Sequence, residues 1–307
     1  MRKLLILFFT ILMGCNLAGG GTGQGADLTG SEGLVITKGT IPNIIYPGQS
    51  FSIPITLENK GTSNIEDAIL SISGYEEQYV HFDVPPIVEK INLEGRTALT
   101  PIGERTTKIF RVGSISLPQG KDIAQVFLAR VCYKYKTIAS PIVCINPKLA
   151  SGESVQPGAC DPSKVQLSST QGAPLAVTKV EVIPLSNEGF VSFIIHVKDV
   201  SKGPAAILED SYAKPCARGI GTLFVDEVGK IKIEAFLSGQ KIQCFSLFED
   251  AIEADMFKIT KEGPFAICRA TIDPEADAYT TPLSIELSYG HGSSEVFSVD
   301  LKSTTNR

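Results

Sequence analysis

The sequence predicts an all-β protein built as two tandem β-sandwich domains behind an export signal and a tether. Three observations carry this. From Leu34 onward, apolar residues alternate with polar ones at period two, as half-buried strands require. The 28 Gly and 18 Pro punctuate the chain at short intervals, and 43% hydrophobic against 20% charged side chains supply ample core for 307 residues. An ordered set of features also recurs with a constant offset: Leu175 follows Leu34 by 141 residues, and Val191 follows Phe51 by 140. That period is too long for a solenoid and fits two copies of one domain.

The N-terminus comes first. Met1-Arg2-Lys3 is positive, Leu4 to Met13 is apolar apart from Thr10, and Gly14-Cys15 follows directly. A ten-residue segment in a helix reaches about 15 Å, half of the ~30 Å hydrocarbon core, so it reads as part of a removable export signal over residues 1–14 and not as a spanning anchor. Leu12-Met13-Gly14-Cys15 resembles the lipobox of prokaryotic lipoproteins, and that resemblance implies cleavage before Cys15 and its lipidation. Residues 15–33 then form a tether: seven of the residues from Asn16 to Gly33 are glycine. Such a chain has an end-to-end distance of roughly 25 Å.

The first domain is expected over 34–147. Leu34-Val35-Ile36-Thr37-Lys38 opens it, and Phe51 to Glu58 places Phe51, Ile53, Ile55 and Leu57 on one face. Pro54 lacks an N–H, which predicts an edge strand or a bulge. Asn59-Lys60-Gly61 ends this strand, and further strands are predicted at Ala68–Ser73, Thr107–Val112 and Ile123–Tyr135. A turn at Thr137-Ile138-Ala139 would set the segment from Val126 against that from Pro141 and oppose Cys132 to Cys144, at a spacing a disulfide accepts.

Residues 148–173, rich in Ser, Pro, Gly and Gln, read as a linker. The second domain, 174–303, repeats the opening. Leu175 to Lys179 mirrors Leu34 to Lys38, and Val191, Phe193, Ile195 and Val197 repeat the inward set. A Pro (Pro42, Pro184), a Gly turn (Gly48, Gly189) and a Lys-Gly turn (Lys60-Gly61, Lys202-Gly203) recur in the same order. Later strands are predicted at Gly229–Leu237, Phe265–Ala270, Pro282–Tyr289 and Glu295–Leu301, with Gly290-His291-Gly292-Ser293 turning the last pair and a short helix at Leu247 to Met256. Many short strands in segments of this length fit immunoglobulin-like packing in both domains.

Six cysteines follow Cys15: Cys132, Cys144, Cys160, Cys216, Cys244 and Cys268. An even number in an exported chain reads as a disulfide framework, and the absence of any C-x₂-C pair argues against zinc. Beside Cys132–Cys144, the remaining four allow three pairings, of which Cys244–Cys268 and Cys160–Cys216 are favoured.

The run Tyr46-Pro-Gly-Gln-Ser-Phe-Ser-Ile-Pro-Ile-Thr-Leu-Glu-Asn-Lys-Gly61 resembles the opening of adhesion-related immunoglobulin-like domains of prokaryotic surface proteins. The second copy is similar through Val197-Lys198-Asp199-Val200, with Asp199 in place of the Asn and an insertion before Gly203. Tyr133-Lys134-Tyr135-Lys136-Thr137 is similar to archaeal surface lipoproteins with this two-domain plan. The resemblance implies display, spacing or contact, and no reaction.

Residues that carry chemistry are sparse. His81, His196 and His291 stand alone, and the chain has no H-E-x-x-H, G-x-S-x-G or P-loop motif. His196 reads as a solvent-facing strand residue and His291 as part of a turn. The carboxylates of Glu249-Asp250, Glu253 and Asp255, and of Asp273, Glu275 and Asp277, lack the spacing of a calcium loop and read as solvated turns. Tyr75, Tyr79, Tyr133 and Tyr135 are the aromatic candidates for a carbohydrate platform, since there is no Trp, and most of them are expected to be packing residues. The net charge is −5, and −7 without Arg2 and Lys3, which makes nucleic acid a poor partner. No cofactor, metal or catalytic residue is expected. The expected function is that of a non-enzymatic module anchored to the membrane by an N-terminal lipid, on the outer face of the cytoplasmic membrane or the cell surface, with a protein partner on the envelope. A carbohydrate- or Ca²⁺-dependent ligand-binding module, or a hydrolase with a non-local site, are the alternatives.

Overall fold

A computed structural model describes residues 28–148, 160–162, 165–167, 170–185, 189–201, 205–208, 229–246, 256–259 and 265–303. The described residues contain eighteen strands and no α-helix. In the first half these are β1 (Leu34–Lys38), β2 (Ile44–Ile45), β3 (Phe51–Asn59), β4 (Ile65–Ser73), β5 (Val80–Phe82), β6 (Ile87–Leu93), β7 (Arg105–Ile115), β8 (Ile123–Ala139) and β9 (Ile142–Ile145). The second half holds β10 (Val165–Gln166), β11 (Leu175–Leu185), β12 (Phe190–Asp199), β13 (Ala205–Leu208), β14 (Lys230–Leu237), β15 (Gln240–Ser246), β16 (Met256–Lys258), β17 (Phe265–Thr271) and β18 (Tyr279–Leu301). All pairings are antiparallel except that of β2 with β18.

The alternating segments fold as their pattern demands. β3 buries every second residue from Phe51 to Asn59, so Ile53, Ile55 and Leu57 are fully enclosed. Its pairing does not follow the edge position expected from Pro54, because β3 lies between β1 and β7 in a four-stranded sheet of order β1-β3-β7-β5. Pro54 is tolerated there because it stands opposite Gly39, one residue beyond the end of β1. Gly39 N–H donates to the Pro54 carbonyl at 2.7 Å, so no ladder bond to β7 needs the missing proline N–H. A side chain on Gly39 would run into the Pro54 ring, 2.8 Å from its nearest atom.

The largest departure from the predicted plan lies in the second sheet. Fourteen strands form one sheet whose main path is β10-β11-β12-β17-β15-β14-β18-β8-β4-β6. β8, from the first half, pairs with β18, from the second, through seventeen register pairs from Ile123↔Leu301 to Ala139↔Ile285. Domains expected at 34–147 and 174–303 are therefore not separately closed sandwiches; one hydrogen-bonded sheet runs through both, and one apolar cluster includes residues of both. The expected linker also contributes, since Val165–Gln166 pairs with β11 and Gly172 and Ala173 are buried.

Two turns predicted from local composition are strand. Gly290-His291-Gly292-Ser293 continues through the middle of β18, with β8 on one side and β13 on the other. Pairing on both edges satisfies the backbone and outweighs the weak strand preference of two glycines. Thr137-Ile138-Ala139 continues β8, which pairs with Ile285 to Leu287 and not with β9. β9 pairs with the start of β18, from Tyr279 to Pro282. The predicted helix at Leu247 to Met256 lies outside the described residues except Met256, which opens β16.

The repeat seen in the sequence reappears in hydrogen bonding. Leu34 opposes Asn59 in the β1–β3 pair, and Leu175 opposes Asp199 in the β11–β12 pair. Just beyond, Lys60 N–H donates to Gly33 O at 2.9 Å, and Val200 N–H donates to Pro174 O at 2.8 Å. β3 and β12 each continue to a further antiparallel strand, β7 and β17. The halves are thus related by an approximate twofold near the Lys134↔Gly290 pair, with β8 and β18 as the central strands.

Candidate functional site: a buried tyrosine–histidine seam

Because side chains on one face of a strand recur every second residue, Tyr133, Tyr135 and Thr137 of β8 share a face with Tyr289 and His291 of β18. All five are no more than 3% exposed. The rings touch in series: Tyr133 lies 5.4 Å from His291 and 5.8 Å from Tyr135, and Tyr135 lies 6.2 Å from Tyr289.

Each hydroxyl holds the start of a strand or a loop. The Tyr133 hydroxyl accepts from Leu34 N–H at 2.9 Å and lies 3.0 Å from His291 Nδ1. Tyr289 does the equivalent in the other half, accepting from Leu175 N–H at 3.2 Å. It also lies 2.9 Å from Thr137 Oγ1, which donates to Leu175 O at 2.8 Å. Since Thr137 uses its proton on that carbonyl, the Tyr289 phenol donates to Thr137, and both polar groups of buried Leu175 are satisfied through a closed ring. Tyr135 accepts from Ser63 N–H at 3.2 Å and donates to Gly172 O at 3.1 Å. Gly61 passes so close to that phenol that a Cβ would collide with it.

Burial sets the protonation states. Desolvation raises the Tyr135 phenol to about 12, only partly offset by its backbone donors, and also pushes Tyr133 and Tyr289 well above the ordinary tyrosine value. Desolvation lowers His291 to about 4, against which nearby Asp199 acts weakly. At neutral pH all four are uncharged. With the Tyr133 phenol donating to Nδ1, the imidazole proton sits on Nε2, and that buried atom has no hydrogen-bond partner among the described residues. The seam orients backbone: apart from His291 Nε2, its enclosed polar groups are spent on that backbone and on one another.

The other sequence candidates fall elsewhere. His291 is in strand, not in a contact turn. His196 is half-buried on the outer face of β12, 2.7 Å from Glu181, whose carboxyl is held below the usual range first by Lys179 and then by His196. Tyr79 is buried and Tyr75 half-buried, stacked near Phe82 and Phe127, so neither forms an open platform. Asp273 accepts from Glu275 N–H within its own turn and Asp277 pairs with Lys148 at 2.8 Å. Glu249, Asp250, Glu253 and Asp255 lie outside the described residues, among which no group of three metal-ligating side chains occurs.

The disulfides correct two pairings. Cys144 is bonded to Cys160 and not to Cys132, because β9 is carried away from β8 to the start of β18. This also excludes Cys160–Cys216. Cys132 is itself disulfide-bonded, to a partner outside the described residues. Cys244 is bonded to Cys268, its register partner across β15 and β17, with Cα atoms 3.9 Å apart. Cys15 and Cys216 lie outside the described residues. Disulfides form and persist in oxidising compartments, which points to an extracytoplasmic protein. Among the described residues no helix is long and apolar enough to cross a membrane. The chain matches no protein-family model and no curated protein.

Tyr289 and His291 were missed as members of one cluster with Tyr133 and Tyr135. The signal was present: Tyr133-x-Tyr135 and Tyr289-x-His291 share an i, i+2 spacing that puts both members on one strand face.

Proposed function

We propose that this chain is a lipid-anchored, extracytoplasmic, non-enzymatic structural or contact protein of a prokaryotic envelope, built from two diverged copies of one immunoglobulin-like unit. The observation that carries the reading is the β8–β18 seam, where the most reactive-looking polar cluster is enclosed and used to lock the first strand of each copy. The shared registers of β1–β3 and β11–β12 support the two-copy origin. Disulfides support residence outside the cytoplasm, and Leu12-Met13-Gly14-Cys15 supports the anchor. A partner would meet the broad sheet faces or the edges of β6 and β10, which among the described residues pair on one side only and where an unpaired strand edge can accept another.

The anchor is tested by fractionation. Cys15→Ser should move the protein from the membrane to the soluble fraction; unchanged partitioning contradicts it. For the non-enzymatic reading, the purified ectodomain should stay inactive across a broad hydrolase screen, and a specific turnover abolished by substituting one surface residue would overturn it.

A further inference from the structure

Both smaller groups of strands pack on the same side of the β8–β18 pair. Phe51 of the β1-β3-β7-β5 sheet meets Phe127 at 6.3 Å, and Leu175 of β11 is held by Thr137 and Tyr289, on the same face of the central strands. The chain enters the body between them. Gly33 packs on the Tyr133 phenol, Gly30 O accepts from Gly172 N–H at 2.8 Å, and Thr29 O accepts from Arg96. Leu28, the first described residue, therefore lies on the side bearing β1-β3-β7-β5 and β11-β12-β17. Only twelve residues, Asn16 to Asp27, separate Cys15 from this point, a contour of at most about 40 Å.

The outward faces of those strands carry a charge pattern opposite to the whole. Cross-strand registers align Arg105, Ile109 and Arg111 with Glu58, Pro54 and Ser52 on one, and Arg269 with Ser192 and Gln243 on the other, where Lys179 and Lys198 also project. Within these strands five cations face outward against two carboxylates, Glu58 and Glu181, in a chain of net charge −5. Among the described residues no carboxylate forms an ion pair with Arg105, Arg111, Lys198 or Arg269, whereas Glu181 already holds Lys179. Ile109, 66% exposed, and Phe245, 46% exposed, add apolar contacts. The far face of the central sheet also carries Arg130, Lys134 and Lys230, but part of its charge is already balanced: Lys136 pairs with Glu286, and Lys232 and Lys241 pair with Glu234.

We propose that the β1-β3-β7-β5 and β11-β12-β17 faces lie against an anionic lipid surface, so that both halves sit side by side on the membrane and the far face of the central sheet is presented outward. This rests on anchoring through Cys15. Basic side chains held near an anionic leaflet are attracted within a Debye length, which a short tether on the same side enforces. A stacked pair of domains would instead place the first half near the membrane and the second away from it.

The chain has no Trp, so one introduced Trp reports its own position. Ile109 and Ile138 are exposed on opposite sides of the molecule. Full-length lipidated Ile109→Trp and Ile138→Trp proteins are reconstituted into vesicles of anionic lipid carrying dansyl headgroups, and energy transfer from Trp is measured. The expected result is a several-fold greater loss of Trp emission in Ile109→Trp. The difference should collapse in neutral vesicles, at high salt, and when Arg105→Glu, Arg111→Glu, Lys198→Glu and Arg269→Glu are added, with the protein still sedimenting with vesicles. Equal transfer in anionic vesicles, or a difference that survives all three changes, overturns the orientation. Failure to sediment at all overturns the anchoring reading, and the orientation with it.

Discussion

At the scale of single residues, the seam makes the protein sensitive to groups that stay uncharged. His291 has its ordinary value of 6.5 lowered to about 4 by burial, so the unfolded chain binds its proton first as pH falls. The folded state keeps the full benefit of a neutral His291 above pH 6.5 and loses it on descent to about 4, a loss of about 3 kcal/mol. Denaturant unfolding of wild type and His291→Gln between pH 7 and 4 checks this: wild type should lose that extra stability, and parallel pH profiles would contradict it. Tyr289→Phe leaves the buried Leu175 N–H without an acceptor and should cost about 1–3 kcal/mol. Tyr79→Phe, which loses only a hydroxyl contact to Lys121, should cost within about 0.5 kcal/mol. Equal costs in chemical denaturation would show that the Tyr289 hydroxyl contributes no more than that of Tyr79 and contradict its role at Leu175.

Among elements, β3 and β12 were legible in the sequence because each buries one strict alternation, a signal carried by adjacent residues. β8 and β18 were misread where their pairing is decided by residues about 150 positions away. Gly290 and Gly292 carry a local turn signal, yet β8 and β13 flank them on both sides. The run Thr137-Ile138-Ala139 contains neither Gly nor Pro, and the break comes at Ser140-Pro141 instead. The same error misplaced Cys144: a hairpin geometry was imposed on two strands that share a third. Of the candidate site, Tyr133 and Tyr135 are among the tyrosines most of which are expected to pack, and they do, but the long-range pair that buries them is not legible in adjacent residues. Non-reducing peptide mapping tests the corrected elements. It should yield linked peptides containing Cys144 with Cys160 and Cys244 with Cys268; a Cys132–Cys144 peptide from native material would contradict the placement of β9.

For the whole molecule, strands from both halves of the chain form one body through the β8–β18 pair. Cutting between the halves would strip β8 of seventeen paired residues and expose the phenols now facing β18, an edge of the kind that aggregates. The isolated segment 34–147 should therefore be insoluble or unfolded, and a monomeric, cooperatively unfolding fragment by circular dichroism would contradict this. Lipid anchoring at the waist of such a body, rather than at one end, would present both halves equally. The most direct measurement is native-state amide hydrogen exchange along β8 and β18. Joined through their full length, Ile123–Ala139 and Ile285–Leu301 should be protected as one unit and open with a common free energy. Separate opening free energies for the two strands, or rapid exchange at the β8 amides directed toward β18, would show that the halves are independent after all.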